Sequence, residues 1–180
     1  GKPIPDLIYG LNFDIWYKGF DFTIFLQGMQ NMDIYNDHMA SIGLATDRWG
    51  KDENKLVDVM EYWTPENHTN TQTRVDVIDE NINTRISSWF IEDASFIRIR
   101  TLQLGYSLPQ SVSMRVGVDR FRLFVNANNL YTFTKYSGYD PEIGETDPDN
   151  SGTTDPLSAG IDYGFYPVPK SVTFGVQLDF

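Results

Sequence analysis

Five segments of the chain alternate apolar and polar side chains with a period of two. In "LIYGLNFDIWYK", Leu11, Phe13, Ile15 and Tyr17 share one face, while Asn12, Asp14 and Trp16 share the other. "FDFTIFLQG" follows after Lys18-Gly19 and sets Phe20, Phe22, Ile24 and Leu26 against Asp21, Thr23, Phe25 and Gln27. Two alternating runs across a glycine-containing pair predict a hairpin. In "SFIRIRTLQLGYSL" the phase slips: Ile97 and Ile99 are odd, whereas Leu102, Leu104 and Tyr106 are even. One extra residue near Arg100-Thr101 restores the face, as a β-bulge does. Alternatively, the strand leaves its apolar zone there. "RFRLFVNANNLYTF" places Phe121, Leu123, Val125 and Ala127 opposite Arg122, Phe124, Asn126 and Asn128. "SVTFGVQLDF" places Val172, Phe174, Val176, Leu178 and Phe180 on one face. The strands are predicted at about residues 7–17, 20–30, 89–108, 120–133 and 170–180.

The connections alternate in length. The first is two residues, the second spans 31–88, the third is "PQSVSMRVGVD", and the fourth spans 134–169. Short, long, short, long is the connection pattern of a transmembrane β-barrel, with short turns on one side and long loops on the other. Tyr17, Phe20, Tyr106, Phe121 and Phe180 lie on the apolar faces, beside the short turns or at the last residue. They read as one ring of an aromatic girdle at a membrane interface. The fold class is therefore all-β: an antiparallel transmembrane β-barrel segment of about five strands, with long extracellular loops containing short helices. A soluble β-sandwich also alternates, but nothing in it gathers aromatics at one end. Within 31–88, "NKLVDVMEYW" spaces Leu56, Val59, Met60 and Trp63 by threes and fours, and Thr64-Pro65 follows. That spacing predicts a helix, packed on its own loop or facing a ligand.

Charge and composition narrow the choice. The 180 residues carry a formal net charge of −11. A nucleic-acid partner is not expected, because a phosphate backbone needs a basic face and the 14 Lys+Arg are scattered. No cysteine is present, which removes disulfides, thiol chemistry and cysteine zinc sites. "GKPIPDL" has neither the basic nor the apolar region of a secretory leader. No run reaches the roughly 18 apolar residues of a membrane helix. The negative mean hydropathy fits a barrel nonetheless, since only alternate strand residues face lipid.

Four stretches, in order, carry a resemblance: "GLNFDIWYKGFDFTIFLQG", "SSWFIEDASFIRIRTLQLGYSLP", "RLFVNANNLYTFTKYSGYDPE" and "GIDYGFYPVPKSVTFGVQLDF". Together they resemble the C-terminal part of SusC/RagA-type TonB-dependent outer-membrane transporters. The resemblance covers nearly the whole chain and is weakest in the two long loops. It implies a barrel of about 22 strands with a plug in its lumen, located in the outer membrane of a Gram-negative bacterium. It implies nutrient import, of glycans or peptides, driven through TonB. The implied partners are the remainder of the parent barrel and plug, a SusD-like lipoprotein, and TonB through an N-terminal part not present here. Barrel-assembly machinery is a further one, reading the terminal Phe180. On this reading the chain is a piece of a larger barrel, with open edges at its first and last strands. Two alternatives remain at this point: a soluble β-rich carbohydrate-binding module, and a non-energised porin or adhesin barrel.

Candidate chemistry is sparse. His38 and His68 are isolated and read as loop residues. No nucleophile triad, Walker loop or dinucleotide fingerprint is legible, and no enzyme activity is expected. No cofactor is expected either, with calcium as the one candidate: in "DPDNSGTTD", Asp147, Asp149, Ser151 and Asp155 have some calcium-loop spacing. The twelfth position from Asp147 is Ser158 in place of the usual bidentate Glu, and a solvated acidic turn explains the stretch as well. Trp49, Tyr62, Trp63 and Trp89 are candidates for stacking on a ligand or partner. Asn12, Asp14, Asp21, Gln27, Arg98, Arg100, Arg122, Asn126, Asn128 and Gln177 fall on the inward faces, where mutual pairing or contact with a plug is expected.

Overall fold

The computed structural model describes residues 1–46, 54–76, 78–143 and 158–180. It divides into two compact units: Pro5–Asn31, Ser95–Lys135 and Pro167–Phe180 form a strand unit, and Gly1–Ile4, Met32–Ala94 and Tyr136–Tyr166 form a loop unit.

The strand unit is one antiparallel sheet of β1 (Leu7–Tyr17), β2 (Phe20–Gln30), β5 (Phe96–Ser107), β6 (Arg120–Thr134) and β8 (Ser171–Asp179), in that spatial order. Lys18 and Gly19 join β1 to β2 with φ of 47° and 87°. Positive φ at both central residues is the twist-matched hairpin turn, and glycine adopts it without a steric penalty. β5 reaches β6 through a short helix, Gln110–Ser113, and a turn that ends at Gly117. The chain leaves the sheet at Asn31, Ser95, Lys135 and Pro167. By the register, each lies at the end opposite the Lys18-Gly19 turn.

Apolar side chains line up across all five strands. One row runs Ile15, Phe22, Leu104, Val125, Phe174, and the next runs Tyr17, Phe20, Tyr106, Leu123, Val176. These rows are not a water-excluded core: Phe174 is 81 % exposed and Leu123 44 %. A soluble sandwich would have buried them. A continuous apolar face of this size needs a non-aqueous cover. The phase slip is a bulge: Leu102 pairs with Ile24, but Ile99 pairs with Leu26, so Arg100 is the extra residue. β6 accommodates it with its own irregularity, where Asn129 adopts φ 50°. β1 and β8 are the edges, and the sheet is not closed.

The span 89–108 is not a single strand. Ser88–Phe90 is a 3-10 turn, β4 (Ile91–Asp93) belongs to the loop unit, and only Phe96–Ser107 joins the long sheet. The predicted helix around 54–63 is reduced to a 3-10 turn at Val57–Glu61, which buries Val59 and leaves Met60 exposed.

The loop unit is built on a small sheet in the order β4, β3 (Asp33–Asn36), β7 (Ile161–Asp162), with β3–β4 antiparallel and β3–β7 parallel. Helix α1 (Asp37–Ile42) follows β3 directly. Ala40, Leu44 and Phe90 form an apolar cluster with Tyr35 packed against it. Strands this short hold few ladder bonds, and polar side chains, several of them buried, tie them together. Asn36 Oδ1 accepts from the Met39 N–H at 2.9 Å and caps α1, while Asn36 Nδ2 donates to Glu92 Oε1 at 2.9 Å. The Ser137 N–H and Oγ–H both donate to Glu92, each at 2.8 Å. The Tyr136 hydroxyl donates to Asp162 Oδ2 at 2.6 Å, and Asp162 Oδ1 accepts the Gly164 N–H at 2.8 Å.

Burial pushes the Tyr136 phenol well above its ordinary range, and the hydrogen bond to Asp162 adds to the shift. An unfolded tyrosine titrates near pH ~10, so the folded state holds a proton that the unfolded state loses. This stabilisation is complete below about pH 10 and declines as pH rises above it. In the full-length parent, hydrogen exchange across 136–143 and 158–165 should therefore accelerate as pH rises from about 10 to 11 beyond the intrinsic base-catalysed increase. Tyr136→Phe should lose about 1–2 kcal/mol of local stability at neutral pH and show a smaller alkaline step. An identical alkaline response in both proteins would contradict this role.

Candidate functional site

The inner face of the strand unit is polar, and its side chains largely satisfy each other. Asp21 on β2 and Arg122 on β6 form a two-point ion pair, with Nε to Oδ1 at 2.9 Å and Nη2 to Oδ2 at 2.5 Å. β5 lies between those strands, so the pair crosses it, directly over Gly105. A Cβ at Gly105 would collide with both the Asp21 carboxylate and the Arg122 guanidinium. A Cβ there would push the pair aside, so the placement of the pair, not the backbone angle, favours glycine. The Arg122 guanidinium also lies over the Phe124 ring, 5.0 Å from its centroid.

Further along the same face Arg98 Nε donates to Thr132 Oγ1 at 2.8 Å, and Thr23 Oγ1 donates to Asp14 Oδ1 at 2.6 Å. Asn12 donates to Asp14, and Asn126, Asn128 and Ser171 form a short relay. Gln177 Nε2 donates to Asp179. At the bulge Arg100 donates to Gln27 Oε1 at 2.6 Å and to Asn129 Oδ1 at 3.1 Å. The bulge therefore places a guanidinium between side chains of the two neighbouring strands.

The aromatic candidates do not converge. Tyr17, Phe20 and Tyr106 are register neighbours on β1, β2 and β5, with Phe20 and Tyr106 centroids 4.5 Å apart. Phe121 pairs with Leu178 on β8, and Phe180 lies exposed just beyond that strand. In the loop unit Trp63 stacks flat on His68, with centroids 5.5 Å apart and planes 5° from parallel. Tyr62 is partly exposed beside it. His38 packs on the Tyr139 ring at 5.4 Å. Trp49 and the calcium candidates Asp147, Asp149, Ser151 and Asp155 lie outside the described residues. Among the described residues, no three His, Cys, Asp or Glu side chains are grouped to hold a metal ion.

Trp89 stands apart from Tyr62 and Trp63. It is 65 % exposed and lines a cleft of about 200 Å³ in the loop unit. Leu44 and Phe90 contribute apolar wall, and Asn70, Gln72, Thr73, Asn83 and Arg85 contribute polar groups. The turn carrying Asn83 and Arg85 is fixed by Asp79, whose carboxylate accepts the Asn83 N–H at 2.6 Å and the Thr84 hydroxyl at 2.6 Å. Burial alone would raise the Asp79 carboxyl. The bonds from Thr84 and Asn83 and the charge of Arg85 outweigh it and hold Asp79 below its usual range. The polar lining was not legible in the sequence, because "NTQT" and "INTR" have no period and resemble solvated loop.

No family model matches the chain. Among curated proteins, TonB-dependent receptor P3 of Formosa agariphila is 34 % identical over 180 residues, which cover 100 % of this chain and 17 % of the receptor. TonB-dependent receptor SusC of Bacteroides thetaiotaomicron is 26 % identical over 184 residues, covering 99 % of this chain and 16 % of SusC. Among solved structures, the RagAB peptide importer in its closed-closed state superposes with a TM-score of 0.79 at 23 % identity, over 99 % of this chain and 18 % of that chain. The chain thus spans about one-sixth of the length of the curated relatives it matches.

The ion pair across Gly105 is open to a direct measurement. A double-mutant cycle of Asp21→Asn and Arg122→Gln, read from denaturation of the refolded full-length parent, should give a coupling of about 1.5–3 kcal/mol. In a Gly105→Ala background the coupling should fall close to zero, because the added methyl group displaces both partners. Equal couplings in the two backgrounds would show that the pair does not depend on the glycine.

Proposed function

We propose, from its similarity along its whole length to TonB-dependent receptors including SusC and its fold likeness to the RagAB importer, that the chain supplies the C-terminal barrel strands of an energised outer-membrane nutrient importer. The supporting observation is the two-faced sheet. Its outer rows are large, apolar and exposed, and its inner rows are polar and mutually bonded. Lipid suits the first face, and a water-filled or plug-filled lumen suits the second. Two open edges, β1 and β8, then pair with neighbouring strands of the same barrel, which removes the unpaired backbone groups that otherwise template aggregation.

In this reading the chain performs no bond chemistry. Tyr17, Phe20, Tyr106, Phe121 and Phe180 sit at headgroup level on the side of the short turns. The long connections leave and re-enter the sheet at the strand ends opposite the Lys18-Gly19 turn, and long loops on a rigid scaffold concentrate binding residues. A SusD-like lipoprotein is the partner there, and glycans or peptides are the cargo class. TonB acts through another part of the parent protein.

Deleting Gly43–Asn83 from the full-length parent, with a short Gly-Ser linker in its place, separates barrel from loop function. The barrel should still assemble and keep its heat-modifiable migration, because every long strand and the Asn36–Glu92 clasp remain. Lipoprotein association and energised uptake should both fall. Unchanged lipoprotein binding and uptake in the deleted protein would remove the functional role from this segment.

A further inference from the structure

Deepening the importer reading and resting on it, we propose that the Trp89 cleft of the loop unit is a subsite for one residue of an acidic saccharide. Its indole takes a sugar ring face, and Arg85 takes the carboxylate or sulfate.

Three features of the cleft lead to this ligand. The first is size. At about 200 Å³ it falls below the roughly 300–1,000 Å³ of pockets that enclose drug-sized ligands. It therefore holds a single ring-sized unit, such as a chain end or a branch. The second is charge. In a protein of net charge −11, no carboxylate lines this cleft among the described residues, and one guanidinium does. Arg85 acts electrostatically on Asp79, whose oxygens are already engaged by Asn83 and Thr84. Arg85 makes no ion pair within 4 Å among the described residues. A planar guanidinium matches a carboxylate or sulfate by two parallel hydrogen bonds.

The third feature is unmet hydrogen bonding. Gln72 Oε1 and Thr73 Oγ1 are buried and have no hydrogen-bond partner among the described residues. A buried acceptor left unpaired is costly; both residues line the cleft, so a side-chain rotation toward a bound ring hydroxyl would satisfy them. Asn70 and Asn83 add amides able to donate and accept in the same space. A peptide fits less well. The apolar wall consists of Leu44, Phe90 and the Trp89 ring, with no deep pocket for successive side chains and no sheet edge for strand addition among the lining residues.

The test uses the full-length parent purified in detergent. Binding is followed by calorimetry with three probes: a tri-galacturonate for the carboxylate, a sulfated galactan trisaccharide for the sulfate, and maltotriose as a neutral control. One of the two acidic probes should bind, and its affinity should fall as salt rises. Arg85→Gln should weaken that probe by about tenfold or more while Arg85→Lys retains part of it. Trp89→Ala should weaken it by about tenfold, and maltotriose should bind weakly with no response to Arg85→Gln. Normal barrel migration and lipoprotein association in each variant separate loss of the subsite from failure of the importer reading. The proposal is overturned if neither acidic probe binds at millimolar concentration, or if binding is indifferent to Arg85→Gln and Trp89→Ala. It is also overturned if an acidic tripeptide binds more tightly than both saccharides with the same dependence on Arg85.

Discussion

Each long strand keeps its apolar side chains on one face only while the register with its neighbours holds, because a slip of one residue turns the whole strand over. Everything else in the strand unit follows from that constraint. The Lys18-Gly19 turn fixes the β1–β2 register by its backbone angles. The bulge at Arg100 is the one place where β5 carries an extra residue against β2, and it brings Ile97 and Ile99 onto the same face as Leu102 and Leu104. Arg100 bonds Gln27 on one side and Asn129 on the other, so the irregularity is pinned by charge-assisted bonds to both neighbours. The Asp21–Arg122 pair does a related job nearer the turn, clamping β2 to β6 across the bare backbone of Gly105.

The loop unit is held by different physics. Strands of four, three and two residues gain little from ladder bonds, and the apolar cluster under them is small. Polar side chains from 36, 92, 136–137 and 162, of which Asn36, Tyr136 and Asp162 are buried, supply the fixed points. Each buried donor or acceptor in that clasp has a partner, which is the condition for a polar core to favour one arrangement. A site carried on such a frame can vary in its lining residues while the frame stays constant, which suits a surface that selects among ligands.

This difference decides what could be read from the sequence. The five strands and their facing residues are written locally, in alternation; the phase slip is legible too, but it leaves open a bulge or a strand leaving its apolar zone, and nothing marks the start of β5 at Phe96. The small sheet is not written locally. Nothing near Asp33–Asn36 marks it as a strand, because its partners lie about 60 and 125 residues further on and long-range pairing overrides local preference. The pattern at 54–63 promised a helix, but Met60 faces solvent and only Val59 finds a core, so one 3-10 turn forms. Trp89 was legible as an exposed ring. Its companions Gln72, Thr73 and Arg85 were not, since only the fold of the loop brings them to it, while Trp63 is occupied by His68.

The central claim is that one face of this sheet meets lipid and the other does not. The chain contains no cysteine, so single cysteines placed from Phe121 to Phe133 on β6 report each position without competition from this segment. The full-length parent, with any other cysteines replaced, is reconstituted in phospholipid vesicles, and each site is labelled with an environment-sensitive fluorophore. Quenching by a lipid-chain quencher is then measured. Quenching should alternate with period two, strong at 121, 123, 125 and 127 and weak between them. It should be strong again at 131 and 133 after the irregularity at Asn129. Uniform quenching along β6, or alternation of the opposite phase with Arg122, Phe124 and Asn126 facing lipid, would contradict the account.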